Sequence, residues 1–127
     1  MSYLDKFKLN NKISLVTGGA GGIGREICKA LIDSGSKVIL ADLDEKQGKK
    51  ILKEINFKNK YIEFCKLDST SEKSIKKIKY YILKKHKKLD ILVNCVGTCI
   101  NTKAEKVSKE EWDKVININL NSMFYVC

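Results

Sequence analysis

Residues Thr17–Gly24, TGGAGGIG, place five glycines between two apolar stretches. Glycine removes the side chain that would hold a phosphate away from the backbone, and a helix starting beside such a loop aims its unpaired N–H groups at the anion. The chemistry on offer is a seat for a diphosphate. A flexible loop is the competing reading, and a suitably spaced acid decides between them. Asp42 stands about 20 residues beyond the glycines, where a carboxylate accepts hydrogen bonds from an adenosine ribose in strand–helix–strand dinucleotide sites. A flexible loop needs no such acid.

The flanking residues supply the elements that this site requires. Lys12–Gly18, KISLVTG, is β-branched and apolar between turn residues and reads as a buried strand. Ile23, Ile27, Ala30 and Leu31 recur at helical spacing until the polar Asp33–Ser36, DSGS, stops the pattern. Lys37–Asp42, KVILAD, is the next strand and ends on the acid. Beyond it, Ile51, Leu52 and Ile55 predict a second helix despite Gly48, and Lys60–Asp68 alternates as a third strand. Ile75, Ile78, Ile82 and Leu89 form one stripe of a third helix, with Lys73, Lys76, Lys77, Lys84, Lys87 and Lys88 opposite. Leu89–Gly97, LDILVNCVG, is continuously apolar, as a central strand covered on both faces should be. A final helix opens on a capping box, Ser108 with Glu111, and carries Trp112, Val115, Ile116, Leu120 and Met123 on one broad side. Strict alternation of strand and helix implies an α/β fold, a Rossmann-type doubly wound parallel sheet, in one domain over residues 1–127.

Composition narrows the function classes. With 43% hydrophobic and 31% charged residues the chain is globular, and no apolar run reaches the roughly 18 residues of a membrane span. The N-terminus lacks the apolar core of a signal peptide, so the expected location is cytoplasmic and no membrane partner is expected. Cys28, Cys65, Cys95, Cys99 and Cys127 are odd in number and scattered, which fits reduced thiols, and Cys95 with Cys99 lacks a second ligand pair, so no metal is expected. The net charge of +10 raises nucleic-acid binding as a rival. Arg25 is the only arginine and no aromatic-rich strand offers a stacking platform, so the lysines read as a solvated coat.

Taken together, these segments resemble the short-chain dehydrogenase/reductase family from about Asn11 onward. TGGAGGIG has the family's Thr-Gly-x-x-x-Gly-x-Gly spacing, which implies cofactor-loop roles for Gly18, Gly22, Ile23 and Gly24. Asp42 matches the acid that favours NAD over NADP, because a carboxylate repels the 2′-phosphate. Asp68, with Ser69 beside it, matches the residue that caps the adenine ring. Asn94–Gly97, NCVG, is similar to Asn-Asn-Ala-Gly, so Asn94 is expected to brace the sheet beside the cofactor and Gly97 to border it; Cys95 and Val96 depart from that pattern. Glu111–Phe124 resembles the following segment and implies that Asn119 is the catalytic asparagine, which bends its helix and holds a water in a proton relay.

The resemblance also implies a serine and a Tyr-x-x-x-Lys pair that do the chemistry, and it places them beyond Cys127. Tyr80 with Lys84 and Tyr81 with Lys85 have the right spacing but lie before the fourth strand, away from the carboxyl ends of the strands where ligands bind. The chain therefore reads as an N-terminal fragment, truncated after the fourth strand and its following helix and inactive by itself. Its parent is expected to be a homodimer or homotetramer that transfers hydride between NAD(H) and a small alcohol or carbonyl substrate. The alternatives are a non-catalytic dinucleotide-binding or assembly module and, more remotely, a basic nucleic-acid binder.

Overall fold

Strands rich in Ile, Val and Leu and joined by amphipathic helices bury both sheet faces only if the helices divide between them. The computed structural model describes residues 2–56 and 61–127 and has that arrangement. Strands β1 (Ile13–Thr17), β2 (Lys37–Asp42), β3 (Ile62–Lys66) and β4 (Ile91–Asn94) form one parallel sheet in the order β3-β2-β1-β4. The crossovers are α1 (Gly22–Asp33), α2 (Glu45–Asn56) and α3 (Glu72–His86). Val16, Val38 and Leu40 pack against Cys28 and Ile32 of α1 and Ile51 of α2 on one face. Ile13, Leu15, Ile39 and Ala41 pack against Ile78 and Ile82 of α3 on the other. Because the chain runs from β1 to β2 to β3 and then crosses back to β4, the order reverses beside β1. A crevice must open there at the carboxyl ends of the strands.

Several local choices differ from the sequence expectation. Helix α1 turns Gly24, Cys28 and Ile32 inward, with Ile27 and Leu31 half-buried, while Ile23 is 76% exposed and Ala30 is exposed. The absence of a side chain at Gly24 lets α1 approach the glycine loop closely, and this rotates the stripe by one residue. Leu89 lies beyond the end of α3 and is exposed. Strand β4 is half-buried along its length and forms an edge of this sheet, the unpaired edge that a chain truncated after the fourth strand implies. The final helix is interrupted. α4 (Lys109–Ile116) and α5 (Ser122–Val126) are joined through a π-helical turn at Asn117–Asn121. The predicted capping box is present, with Ser108 Oγ accepting from the Glu111 N–H at 3.1 Å and a Glu111 carboxylate oxygen accepting from the Ser108 N–H at 3.0 Å. Trp112 and Phe124 leave 62% and 79% of their surfaces open. Lys60, where the third strand was expected to begin, lies outside the described residues.

Gly48 is explained by packing. A Cβ there would overlap the Phe64 ring of β3, so the helix carries a glycine that costs about 1 kcal/mol in propensity in exchange for close approach to the sheet. Burial also sets the thiols: it pushes Cys28 up to about 12 and Cys65 up to about 11, which makes both poor nucleophiles.

Tyr81 and Lys85 share the carboxylate of Glu63 rather than forming a reactive pair. Tyr81 Oη donates to Glu63 Oε2 at 2.9 Å, Lys85 donates to the same oxygen, and His86 Nε2 meets Oε1 at 2.5 Å. Burial alone would raise the Glu63 pKa, but the Lys85, His86 and Tyr81 contacts together outweigh it and hold it below the usual carboxylate range. A depressed carboxylate pKa stabilises the fold above its unfolded value near 4.3, and that contribution is lost as pH falls through the folded value. Glu63→Gln is therefore expected to cost about 1 kcal/mol at pH 7, since the group is partly solvated, and the gap to the parent should close in acid. Urea denaturation of both proteins from pH 7 down to pH 2 checks this; a gap that does not narrow below pH 4 rejects it.

Candidate functional site

The site is built where β1 ends. Gly18 adopts φ +65°, the left-handed region, and a Cβ there would meet the Cys95 carbonyl carbon and oxygen at 2.7 Å. The turn must therefore be glycine for its conformation and for its contact with the segment after β4. Gly19 N–H donates to the Ala41 carbonyl at 3.1 Å, which ties the loop to β2. Gly24 sits against the Gly18 carbonyl with no room for a Cβ, whereas a Cβ on Gly22 would meet nothing within 4 Å. Gly22 is thus the one of these three positions that the protein's own packing leaves free to carry a side chain. Gly21 is the N-cap of α1 and has no side-chain oxygen to offer. The first-turn N–H groups of α1 thus lack a side-chain acceptor, which is the arrangement suited to an anion.

Asp42 is held at this loop. Its Oδ2 accepts from the Ala20 N–H at 3.0 Å and its Oδ1 accepts from the Asp44 N–H at 3.0 Å. These bonds fix the side chain of Asp42, which lines a cavity of about 330 Å³, at the small end of the range for ligand pockets. Of the residues singled out from sequence, Gly18, Asp42, Asp68, Ser69 and Gly97 line that cavity. Gly22, Ile23 and Gly24 lie outside its lining, on the first turn of α1.

Asp68 closes an Asx turn after β3, accepting at Oδ1 from the Thr70 N–H at 2.9 Å and the Thr70 hydroxyl at 2.6 Å. Asn94 is outside the lining; the Thr17 hydroxyl donates to its Oδ1 at 3.1 Å, joining the ends of β1 and β4, and its Nδ2 donates to Cys127 Sγ at 3.5 Å. Asn119 sits in the π-helical turn with both ends of its amide engaged. The Thr98 N–H donates to its Oδ1 at 2.7 Å and its Nδ2 donates to the Thr98 carbonyl at 2.8 Å. This two-point clamp holds the segment after Gly97 onto the helix.

Sequence reasoning missed Ala20, Leu43, Thr70 and Ile118. Thr70 had a readable signal, since an aspartate two residues before a threonine at a strand end is an Asx-turn pattern. The other three had none: Ala20 contributes a backbone N–H, and Leu43 and Ile118 line the cavity through chain segments that only the fold brings together. Among the described residues, no group of three or more His, Cys, Asp or Glu could hold a metal ion. No helix of the described residues is long and apolar enough to cross a membrane.

Known proteins share this arrangement. The short chain dehydrogenase family pattern matches residues 12–127. The chain is 38% identical over 124 residues to a 3-hydroxyacyl-CoA dehydrogenase type-2 of Drosophila melanogaster, covering 93% of this chain and 48% of that protein. It is 33% identical over 118 residues to an NAD-dependent glycerol dehydrogenase of Listeria innocua, covering 93% and 45%. The crystal structure of gox2181 superposes with a TM-score of 0.95 at 35% identity, covering 99% of this chain and 49% of that one. The chain spans about half the length of the curated relatives it matches. With the family pattern running through the glycine turn, the acid-ended second strand and the asparagine-bearing π-helical turn, this chain belongs to the short chain dehydrogenase family.

Proposed function

We propose that this chain is the dinucleotide-binding part of an NAD-dependent oxidoreductase that interconverts a secondary alcohol and its carbonyl compound. The reading rests above all on the Asp42 carboxylate, fixed by the Ala20 N–H of the glycine loop beside a cavity that Gly18 and Gly21 also line. An anion at the start of α1 and a ribose against Asp42 fit these groups, because the loop offers N–H donors and Asp42 offers acceptors. The open space around Gly22 fits a group that comes as close to the backbone as a phosphate does.

Asp42 selects NAD, since a 2′-phosphate would place like charges together in a partly buried site. Asp68, Ser69 and the apolar Leu43 and Leu67 shape the cavity for a flat ring. Asn119 positions the segment after Gly97 through Thr98, and the second lone pair of its Oδ1 remains available to accept from a water. When bound, the nicotinamide supplies the hydride acceptor or donor. The serine and Tyr-x-x-x-Lys of the general acid/base step are expected beyond Cys127. Small alcohols and carbonyl compounds are the expected substrates, with a homodimer or homotetramer as the working assembly.

Gly22→Ala tests this directly. With no atom in the way, the substitution should leave the urea midpoint within about 0.5 kcal/mol of the parent or raise it. It should weaken NAD binding by about tenfold or more, because the methyl occupies the approach to the α1 N–H groups. Fluorescence titration with NADH checks this. Unchanged affinity in a stable variant rejects the phosphate seat.

A further inference from the structure

We infer that the face at the amino ends of the strands, led by the N-terminal turn Tyr3–Phe7, docks on an anionic lipid surface. This end of the sheet lies opposite the dinucleotide cavity and takes no part in the function proposed above. The turn is a 3-10 helix closed by its own capping box, with Ser2 Oγ accepting from the Leu4 N–H and Asp5 accepting from the Ser2 N–H at 2.9 Å. It is thus a formed element, yet it buries nothing: Tyr3, Leu4 and Phe7 are 75%, 75% and 66% exposed. Trp112, Leu120, Phe124 and Tyr125 are also exposed, on the final helix, but these three stand on a separate turn and have lysines beside them.

The surroundings say what covers them. Lys6 lies over the Tyr3 ring, with Nζ 4.5 Å from its centroid, and Lys8 is the next residue after the turn. Lys12 and Lys37 stand at the starts of β1 and β2, the Lys37 N–H donating to the Lys12 carbonyl at 2.9 Å. Lys87 and Lys88 precede β4, and Lys88 Nζ donates to the Asn11 carbonyl at 2.7 Å. Among the described residues, Asp5, Asp33 and Asp90 stand against these six lysines, and Glu63 near the start of β3 is held by Lys85 and His86. Asp5 is paired with Lys8, Asp90 is engaged by the Ile13 N–H, Lys88 and Lys12, and Asp33 ends α1.

The balance is cationic on a chain of net charge +10, so a second copy of the chain is electrostatically disfavoured there and an anionic partner is favoured. Protruding aromatic and aliphatic groups interleaved with lysines match a headgroup boundary, where the rings enter and the ammonium groups stay among phosphates. Leu9, two residues past the turn, ties the segment to the end of α1, its N–H donating to the Ser34 carbonyl at 2.6 Å. This departs from the sequence expectation of no membrane partner, which rested on the lack of a spanning run and of a signal-peptide core; lying on a bilayer requires neither.

Sedimentation of the full chain with vesicles tests the inference. Binding is expected to phosphatidylcholine vesicles that carry about 30 mol % phosphatidylserine and not to pure phosphatidylcholine, and it should weaken steeply with added salt. The triple variant Tyr3→Ser, Leu4→Ser, Phe7→Ser should bind the anionic vesicles about tenfold more weakly while keeping the parent urea midpoint, since all three side chains are exposed. Undiminished binding by that variant would mean unspecific lysine attraction and overturns the proposal, as does equal binding to neutral vesicles. Self-association lost in the triple variant, with no vesicle binding, assigns the turn to a second copy instead. Capture of polyglutamate without vesicle binding assigns it to an acidic protein. Either result also overturns the proposal.

Discussion

Gly18→Ala is expected to lower stability by about 3 kcal/mol, measured as the shift in the urea unfolding midpoint at unchanged slope. Two costs add and one gain opposes them. A side chain at φ +65° costs roughly 1–2 kcal/mol, and a methyl 2.7 Å from the Cys95 carbonyl forces the backbone after β4 to move, for about 1–3 kcal/mol more. The loss of glycine's freedom in the unfolded chain returns only about 0.4–1 kcal/mol. The obstacle is backbone, so no rotamer change relieves it. A loss below about 1 kcal/mol would show that β4 and its following segment yield easily, and the rigid turn inferred for the site would go with it. The contrast with Gly22→Ala is informative: Gly18 is set by packing, whereas a methyl on Gly22 meets no atom of the protein.

Asp42→Asn should change the choice of cofactor far more than stability. The asparagine keeps an oxygen for the Ala20 or Asp44 N–H but removes the negative charge, so the repulsion of a 2′-phosphate disappears. The ratio of NAD to NADP affinity is expected to fall on the order of a hundredfold, mostly by a gain for NADP, because like-charge contacts in such sites cost several kcal/mol. Titration of both cofactors against both proteins reads it out. A ratio unchanged within about threefold would show that the Asp42 carboxylate does not face the ribose.

Much of this protein is legible in its sequence, for identifiable reasons. The strands at Ile13–Thr17 and Lys37–Asp42 and the helix between them are written in local periodicity and in turn residues that interrupt it. The Ser108–Glu111 capping box reads out directly because its partners are three residues apart. Glycines, by contrast, look alike in sequence. Gly18, Gly24 and Gly48 are required by a left-handed turn, a helix contact and an aromatic ring respectively, whereas packing leaves Gly22 in open space, and the neighbours that set those requirements are distant along the chain for Gly18 and Gly48. The tyrosine and lysine of α3 likewise acquire their role from Glu63, on another strand.

What the sequence by itself determined was the order of elements, the parallel sheet and the pairing of a glycine turn with an acid one strand away, because each depends on spacing within a single strand–helix–strand unit. Tertiary structure alone decided that α1 presents Gly24, Cys28 and Ile32 rather than Ile23, and that Asn119 spends both ends of its amide on Thr98. Those outcomes follow from how closely two backbones can approach and which polar groups then find partners, quantities that no local pattern carries.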